Sequence, residues 1–436
     1  MTLVSSFVEL VQQLSPVMTA PTFQTFVVVL TGWVFARRRT VTRMILAADA
    51  VDEKHHSAFH RVFAAAQWSL DELGLAVLGL ILPWLGDGQI LSAIDDTLAR
   101  KRGLKVYGVG MHHDPLISTR KKALTNWGHS WVVLGVIVRF PFCEDKYFCL
   151  PILFRLYISK QTAAQRGGVY RTRPELAVEM LQVLCAAYPD RRFHAVGDSA
   201  YGGQSVLANL PTNCDLTSRL DLDARLYDAP PQRKRGQQGR TPKRGRKLPT
   251  PKKMLEGRTK SLTLDLYGRR DRVRMADGVG RVHAVPDRPL RVVAVNPTTG
   301  GRGPQAFYST QTGDTGQDVL TRYAMRWSIE EANQNSKGYL GFEEPQGWTR
   351  RAVERTAPTA MLLYSLVLLW FAEEGHRYYQ PPQAPWYRSK PHASFADMLA
   401  TLRRESIREQ VSSMAPSGRG CRKLIRVLLH TVQQAA

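Results

Sequence analysis

Cysteine is scarce in this sequence, and the few that occur are scattered. The chain has 436 residues and five cysteines, none of them in a Cys-x-x-Cys pair. An odd and dispersed set is not the pattern of a disulfide framework or of a zinc site. We therefore expect reduced thiols, as in a cytoplasmic protein. The five are Cys143, Cys149, Cys185, Cys214 and Cys421.

Long apolar runs are also missing. The longest, Leu73–Leu85 and Ala357–Ala372, fall short of the roughly 18–20 residues that cross a bilayer. At the N-terminus, Glu9 and Gln12-Gln13 interrupt the apolar stretch, which is not the layout of a signal peptide. The sequence predicts buried helices and no membrane partner.

Acidic residues are few relative to basic ones. There are 37 Asp and Glu against 60 Lys and Arg, which gives a formal net charge of +23. Such an excess neutralises phosphates, so nucleic acid is the first partner to expect, ahead of a merely solvated cationic face. The 44% of hydrophobic residues excludes global disorder. Together these features predict a cytoplasmic protein that binds nucleic acid.

Apolar periodicity predicts an α/β fold with an RNase H-like mixed-sheet core. Strands at Ile90–Leu98, Trp131–Phe140 and Phe148–Ile158, a helix at Pro174–Ala187 and a strand at Phe193–Gly197 follow the order that such a core requires, although other α/β folds share it. We divide the chain into an N-terminal helical domain (1–88), a first part of the core (89–203), a β-rich insertion (204–314), a second part of the core (315–378) and a linker with a basic C-terminal helical tail (379–436).

Two basic segments lie outside the predicted core. Arg37-Arg38-Arg39 forms a turn between N-terminal helices, which either read DNA as a helix-turn-helix or cover the core as a lid. The insertion holds a loop, 233–253, with ten Lys or Arg and no acid, a composition that cannot bury a core. We expect this loop to contact DNA. Its candidate DNA-binding residues are Arg233, Lys234, Arg235, Lys243 and Arg244.

Acidic residues stand at three places where a core of this kind could gather them. Asp95 and Asp96 lie within a predicted strand, Asp198 ends another, and Glu330 lies on a helix predicted from Thr315 to Lys337. Two Mg²⁺ ions held by a few carboxylates can stabilise both the attacking and the leaving oxygen of a phosphodiester. Simpler interpretations are that Asp198 caps the next helix and that Glu330 is a surface residue. Asp95 and Asp96 point to opposite faces, and periodicity does not choose between them.

The predicted helix carries a second pattern. It begins with a capping-box pair, Thr315 and Asp318, and Gly338 suits its end. Tyr323, Arg326, Glu330 and Lys337 lie at offsets of 3, 7 and 14, so they fall within an arc of roughly 60°. The alternative is a solvated face with an Arg326–Glu330 ion pair.

These motifs resemble those of a known family. Tyr323-x2-Arg326-x3-Glu330-x6-Lys337 is similar to the Tyr-Arg-Glu-Lys signature of a large group of bacterial insertion-sequence transposases, which are DDE cut-and-paste enzymes with an RNase H-like core. Asp95-Asp96-Thr97 and Val196–Tyr201 resemble the first and second acidic motifs of that family. The resemblance covers about residues 90–375.

The resemblance implies roles for these residues. Asp96, whose family counterpart is often followed directly by a small polar residue such as Thr97, would hold two Mg²⁺ or Mn²⁺ ions together with Asp198 and Glu330. Tyr323, Arg326 and Lys337 would contact phosphates near the cleaved end. The partners implied are double-stranded DNA, as terminal inverted repeats and as target, and a second copy of the chain in a homodimer.

Two questions stay open at this point. In relatives an aromatic residue of the insertion stacks on a flipped base; residues 204–314 contain no Trp, and Tyr267, Phe307 and Tyr308 are more simply explained as core residues. The alternative functions are a metal-dependent nuclease without strand transfer and a non-catalytic DNA-binding descendant. The complete acid set argues against the latter.

Overall fold

A computed structural model describes residues 1–119, 121–165, 168–232, 244–266, 269–298, 303–381 and 392–414. The chain starts with five helices, as the sequence predicts: α1 Ser5–Gln12, α2 Ala20–Phe35, α3 Val41–Ala47, α4 His56–Ala64 and α5 Leu70–Ile81.

Strands and further helices then alternate. The strands of the described residues are β1 Ile90–Arg100, β2 Gly110–His113, β3 Thr125–Phe140, β4 Cys143–Tyr157, β5 Phe193–Gly197, β6 Cys214–Leu220, β7 Leu226–Tyr227, β8 Lys260–Leu266, β9 Arg269–Val282, β10 Leu290–Pro297 and β11 Gln305–Ser309. The helices are α6 Lys160–Gln165, α7 Arg173–Ala187, α8 Gln204–Leu207, α9 Pro251–Glu256, α10 Gly316–Met325, α11 Trp327–Leu340, α12 Arg350–Glu373 and α13 Phe395–Met414.

The central sheet has β1 in its middle. β1 pairs antiparallel with β3, which pairs antiparallel with β4, and on its other side β1 pairs parallel with β5, which pairs parallel with β6. Three antiparallel strands followed by two parallel ones fit an RNase H-like core. The strands and the helix predicted in the first part of the core are confirmed, with ends that differ by a few residues.

The segment predicted as an insertion continues this sheet. β6, its first strand, pairs with β5, and β11, β10, β9 and β8 follow edge to edge. The stretch 261–275 looks like one strand in sequence but belongs to two antiparallel strands, β8 and β9. Alternation of period two has the same appearance in both strands, so the sequence pattern does not show where the chain reverses.

The long helix predicted from Thr315 to Lys337 is also two elements. The capping box of Thr315 and Asp318 is formed, but α10 ends and α11 begins around Arg326, where backbone bonds span three residues (Arg326 N to Tyr323 O, 3.2 Å). The helix stops at Gly341, which has a φ of +60°, and not at Gly338. Only the left-handed backbone distinguishes these two glycines.

The N-terminal helices share one apolar core with the sheet. Phe7, Trp33 and Phe63 belong to the same buried cluster as residues of β1, β3, β4 and α12. α12 is long and apolar enough to cross a membrane, yet 94% of its apolar window is buried inside the protein. This is the environment of a core helix, as the sequence predicts for this run. The N-terminal helices pack on this core as a covering layer would.

Close packing of α5 on β4 yields a test of this architecture. A Cβ on Gly74 would collide with the carbonyl oxygen of Ile152, whereas a Cβ on Gly79 of the same helix would meet nothing. Gly74→Ala is therefore expected to lower the free energy of unfolding by about 1–3 kcal/mol through overpacking. Gly79→Ala should raise it by up to about 1 kcal/mol. Urea unfolding of both variants measures this, and equal effects would contradict the packing described.

Candidate active site

The parallel pairing of β1 and β5 brings two acidic residues to neighbouring positions. Its register sets Ile94 beside Gly197, so the next residues along the two strands are Asp95 and Asp198. β1 continues past this point, whereas β5 ends at Gly197. The loop after β5 therefore carries Asp198 over the middle of β1.

Asp95 is the more deeply placed of the two acids on β1. Its side chain is 17% exposed, and one of its oxygens lies 4.0 Å from the guanidinium of Arg326. Burial is the main reason that the pKa of Asp95 rises from 3.8 to about 7. The charges of Asp96, Glu330 and Asp198 also raise this pKa, and the charge of Arg326 opposes the rise. Asp95 thus lies where several carboxylates repel one another.

Asp96, the residue chosen through the family resemblance, has different neighbours. Its Oδ1 accepts a hydrogen bond from the hydroxyl of Tyr201 (3.1 Å), and its Oδ2 lies 3.5 Å from Nε of Arg173. Burial raises the pKa of Asp96, and Arg173 and the Tyr201 hydrogen bond oppose that rise. Of the two adjacent acids, Asp95 is the one that shares Arg326 with Glu330.

Asp198 combines a capping contact with a position among the acids. Its Oδ1 accepts from the backbone N–H of Ala200 (2.9 Å) at the start of a short 3₁₀ turn, so the capping interpretation describes a real contact. Its carbonyl accepts from the hydroxyl of Ser218 (2.7 Å), which fixes the backbone. Its charge raises the pKa of both Asp95 and Asp96.

Glu330 reaches the group from the first turn of α11. An oxygen of its carboxylate lies 2.6 Å from the guanidinium of Arg326, so the i,i+4 ion pair predicted as an alternative is present. The same guanidinium approaches Asp95 from the opposite side, and α11 packs against β1 and β4. Arg326 therefore bridges two of the carboxylates.

The other two members of the helical signature lie deeper than a solvated face would place them. Tyr323 is 5% exposed, and its ring centroid lies 4.5 Å from that of Phe307. Lys337 is half-buried; burial lowers its pKa, and nearby charges, including those of Glu343 and Asp95, act against this.

The predicted contacts in the insertion are only partly within the described residues. Arg244 is exposed and stacks over the ring of Tyr227 at 5.2 Å, whereas Arg233, Lys234, Arg235, Lys243 and the aromatic Tyr267 lie outside the described residues. Phe307 and Tyr308 are 2% and 1% exposed, as expected of core residues.

The donor chemistry of the four acids suits a hard divalent cation. Mg²⁺ and Mn²⁺ prefer carboxylate oxygens. Burial and, after it, the negative charges of the neighbouring acids raise the pKa of Asp95, and a bound cation would offset both effects. The guanidinium of Arg326, which lies between Asp95 and Glu330, neutralises part of the negative charge of these acids. Among the described residues, the three side chains whose potential metal-ligand atoms all lie within 4.8 Å of one another are Cys143, Asp145 and His392. The four acids of the candidate site do not form such a group.

Sequence reasoning missed Arg173 and did not use Tyr201, which both hold Asp96. Arg173 opens α7 and looks like an ordinary helix start. Tyr201 lies inside the second acidic motif, so that motif was the available signal.

Comparison with known families gives a match that ends before α11. A family model described as DDE superfamily endonuclease matches residues 13–280, which include Asp95, Asp96 and Asp198. A search of curated proteins finds no match. Enzymes of this superfamily generally depend on divalent metal ions. Because the match spans more than half of the chain, the protein belongs to the DDE superfamily endonucleases, which act on DNA.

Proposed function

We propose that this protein is a DNA transposase of the group with the Tyr-Arg-Glu-Lys signature, one that cleaves the ends of a mobile element and joins them to target DNA. The observation that carries the proposal is that acids from the end of β5 and from α11 lie close enough to Asp95 on β1 for their charges to raise its pKa, with Arg326 between Asp95 and Glu330. The signature spacing of α10 and α11 supports the same assignment.

In this proposal Asp95, Asp198 and Glu330 hold two Mg²⁺ or Mn²⁺ ions. Asp95 replaces Asp96 in this role because Asp95 is the acid on β1 that faces Arg326 and Glu330, while Asp96 is engaged by Tyr201 and Arg173. When bound, such ions activate the attacking water or hydroxyl and stabilise the leaving oxygen.

The remaining residues orient DNA. Arg326 and Lys337 lie beside the acids and can bind phosphates near the cleaved end. The basic loop 233–253 would add contacts that do not depend on sequence, so glutamine in place of its ten cations should flatten the salt dependence of DNA binding. Two protomers would hold the two ends of the element together.

Strand transfer separates this proposal from its alternatives. The protein, Mg²⁺ and duplexes that carry pre-cut ends from the DNA flanking its own gene are incubated with a target plasmid. We expect joined products from the wild type. Cleavage of uncut flanking DNA without joining would identify a nuclease, and binding without either reaction would identify a non-catalytic DNA-binding protein.

A further inference from the structure

A groove of two adjoining cavities opens at the C-terminal end of β1. The cavities measure about 700 Å³ and about 520 Å³, and Arg38 and residues 345–347 line both of them. One wall is the basic turn before α3, and the other is the loop between α11 and α12. We name this feature the cationic groove.

The walls of the larger cavity are basic. It is lined by four cations, Arg38, Arg100, Lys101 and Arg102, and by two acids. Both acids already accept hydrogen bonds from backbone N–H groups: Glu343 from Arg100 (3.0 Å) and Glu344 from Arg39. Arg100 is paired with Asp114 (2.8 Å), but the other three cations still outnumber the two acids, so the groove keeps an excess of positive charge that suits a phosphate backbone.

Trp348 lies in the smaller cavity with most of its indole in solvent. The residue is 67% exposed. Its backbone is nevertheless fixed, because its carbonyl accepts a hydrogen bond from the N–H of Tyr107 (3.0 Å). A large, exposed aromatic ring on an anchored loop, next to cations, has the composition of sites where unstacked nucleobases bind.

β1 links the cationic groove to the acid site. It runs from Asp95 directly to Arg100, five residues and about 16 Å at about 3.3 Å per residue. A DNA strand held at the acids can therefore extend into the groove.

We propose that the cationic groove binds a single-stranded or unpaired segment of DNA, with one base stacked on Trp348 and its phosphates held by Arg38 and Arg102. This inference rests on the proposed function only in taking DNA as the substrate. It adds a binding site for unpaired DNA outside the acid site.

Binding of a short fluorescein-labelled oligothymidylate, measured by anisotropy without divalent metal, tests this proposal. Trp348→Ala should weaken binding about 5- to 150-fold, the range for loss of one base–aromatic stack. Trp348→Phe should keep most of the affinity. Tyr378→Ala, which removes a 39% exposed aromatic residue outside the groove, should bind as the wild type does.

Three comparisons make the result decisive. A fully paired blunt duplex should bind wild type and Trp348→Ala alike, whereas the same duplex with one unpaired base should reproduce the loss. Wild-type affinity of Trp348→Ala for the oligothymidylate, or equal losses on both duplexes, would overturn the proposal. Glu331→Gln, outside the groove and the acid site, should bind the oligothymidylate normally. Because this assay contains no divalent metal and no cleavage step, failure of the catalytic assignment and failure of the groove are separate outcomes.

Discussion

Asp95→Asn is expected to stabilise the metal-free protein near pH 8 and to abolish Mg²⁺-dependent DNA cleavage. Burial raises the pKa of Asp95 from 3.8 to about 7. The unfolded chain therefore releases this proton near pH 4, while the folded chain keeps it until about pH 7. Stability that is fully present below pH 4 is lost as the pH rises through this window.

The asparagine variant escapes that loss. It should unfold with a free energy about 1–3 kcal/mol above wild type near pH 8, and the gain should vanish near pH 3. Thermal unfolding in EDTA at both pH values measures this. Asp52→Asn, at an exposed acid outside the site, is the matched control and should change stability at neither pH.

Cleavage by Asp95→Asn answers the open question about the adjacent acids. If Asp95 is the ligand, Asp95→Asn loses cleavage, and wild-type cleavage increases as the pH rises through about 7, where its carboxylate ionises. Full cleavage by Asp95→Asn together with loss in Asp96→Asn would assign the role to Asp96, as the family resemblance implies.

Glu330→Gln is expected to reduce cleavage of the flanking duplex at least about 100-fold, because a metal ligand supports several kcal/mol of transition-state stabilisation. Its neighbour Glu331 is a close control. Glu331 pairs with Lys146 at 2.7 Å in a partly exposed ion pair, whose loss costs about 0–1 kcal/mol of stability. Glu331→Gln should therefore cleave at nearly the wild-type rate.

Equal rates for Glu330→Gln and wild type would show that Glu330 serves only its ion pair with Arg326. Similar melting temperatures of the two variants are the condition for this comparison. The two substitutions change the same chemical group one residue apart on α11, so a difference in cleavage reports position within the site and not loss of charge.

The sequence was informative where local chemistry and periodicity act together. Apolar strands that end in or contain acids are unusual enough to identify Asp95, Asp96 and Asp198, and the spacing on the helix identified Glu330. The choice between Asp95 and Asp96 needed the structure, because side chains alternate across a strand and β1 is covered on both faces by α7 and by α11.

Features made by distant segments were not predictable. The cationic groove joins Arg38 with residues 345–347, about 300 positions away in the sequence, and the basic turn around Arg38 does not show which distant segment it meets. The break at Arg326 was also not predictable from the sequence. The residues on both sides of it favour helix, and hydrogen bonds that span three residues do not change the apolar periodicity.

Mn²⁺ binding tests the central claim most directly. Titration calorimetry or electron paramagnetic resonance, with uncleavable duplex present, counts the ions bound by wild type, Asp95→Asn, Asp198→Asn, Glu330→Gln and Glu331→Gln. We predict that the first three variants lose bound Mn²⁺ and that Glu331→Gln retains it. Unchanged Mn²⁺ binding in Asp95→Asn, Asp198→Asn and Glu330→Gln would show that these carboxylates do not form the metal site.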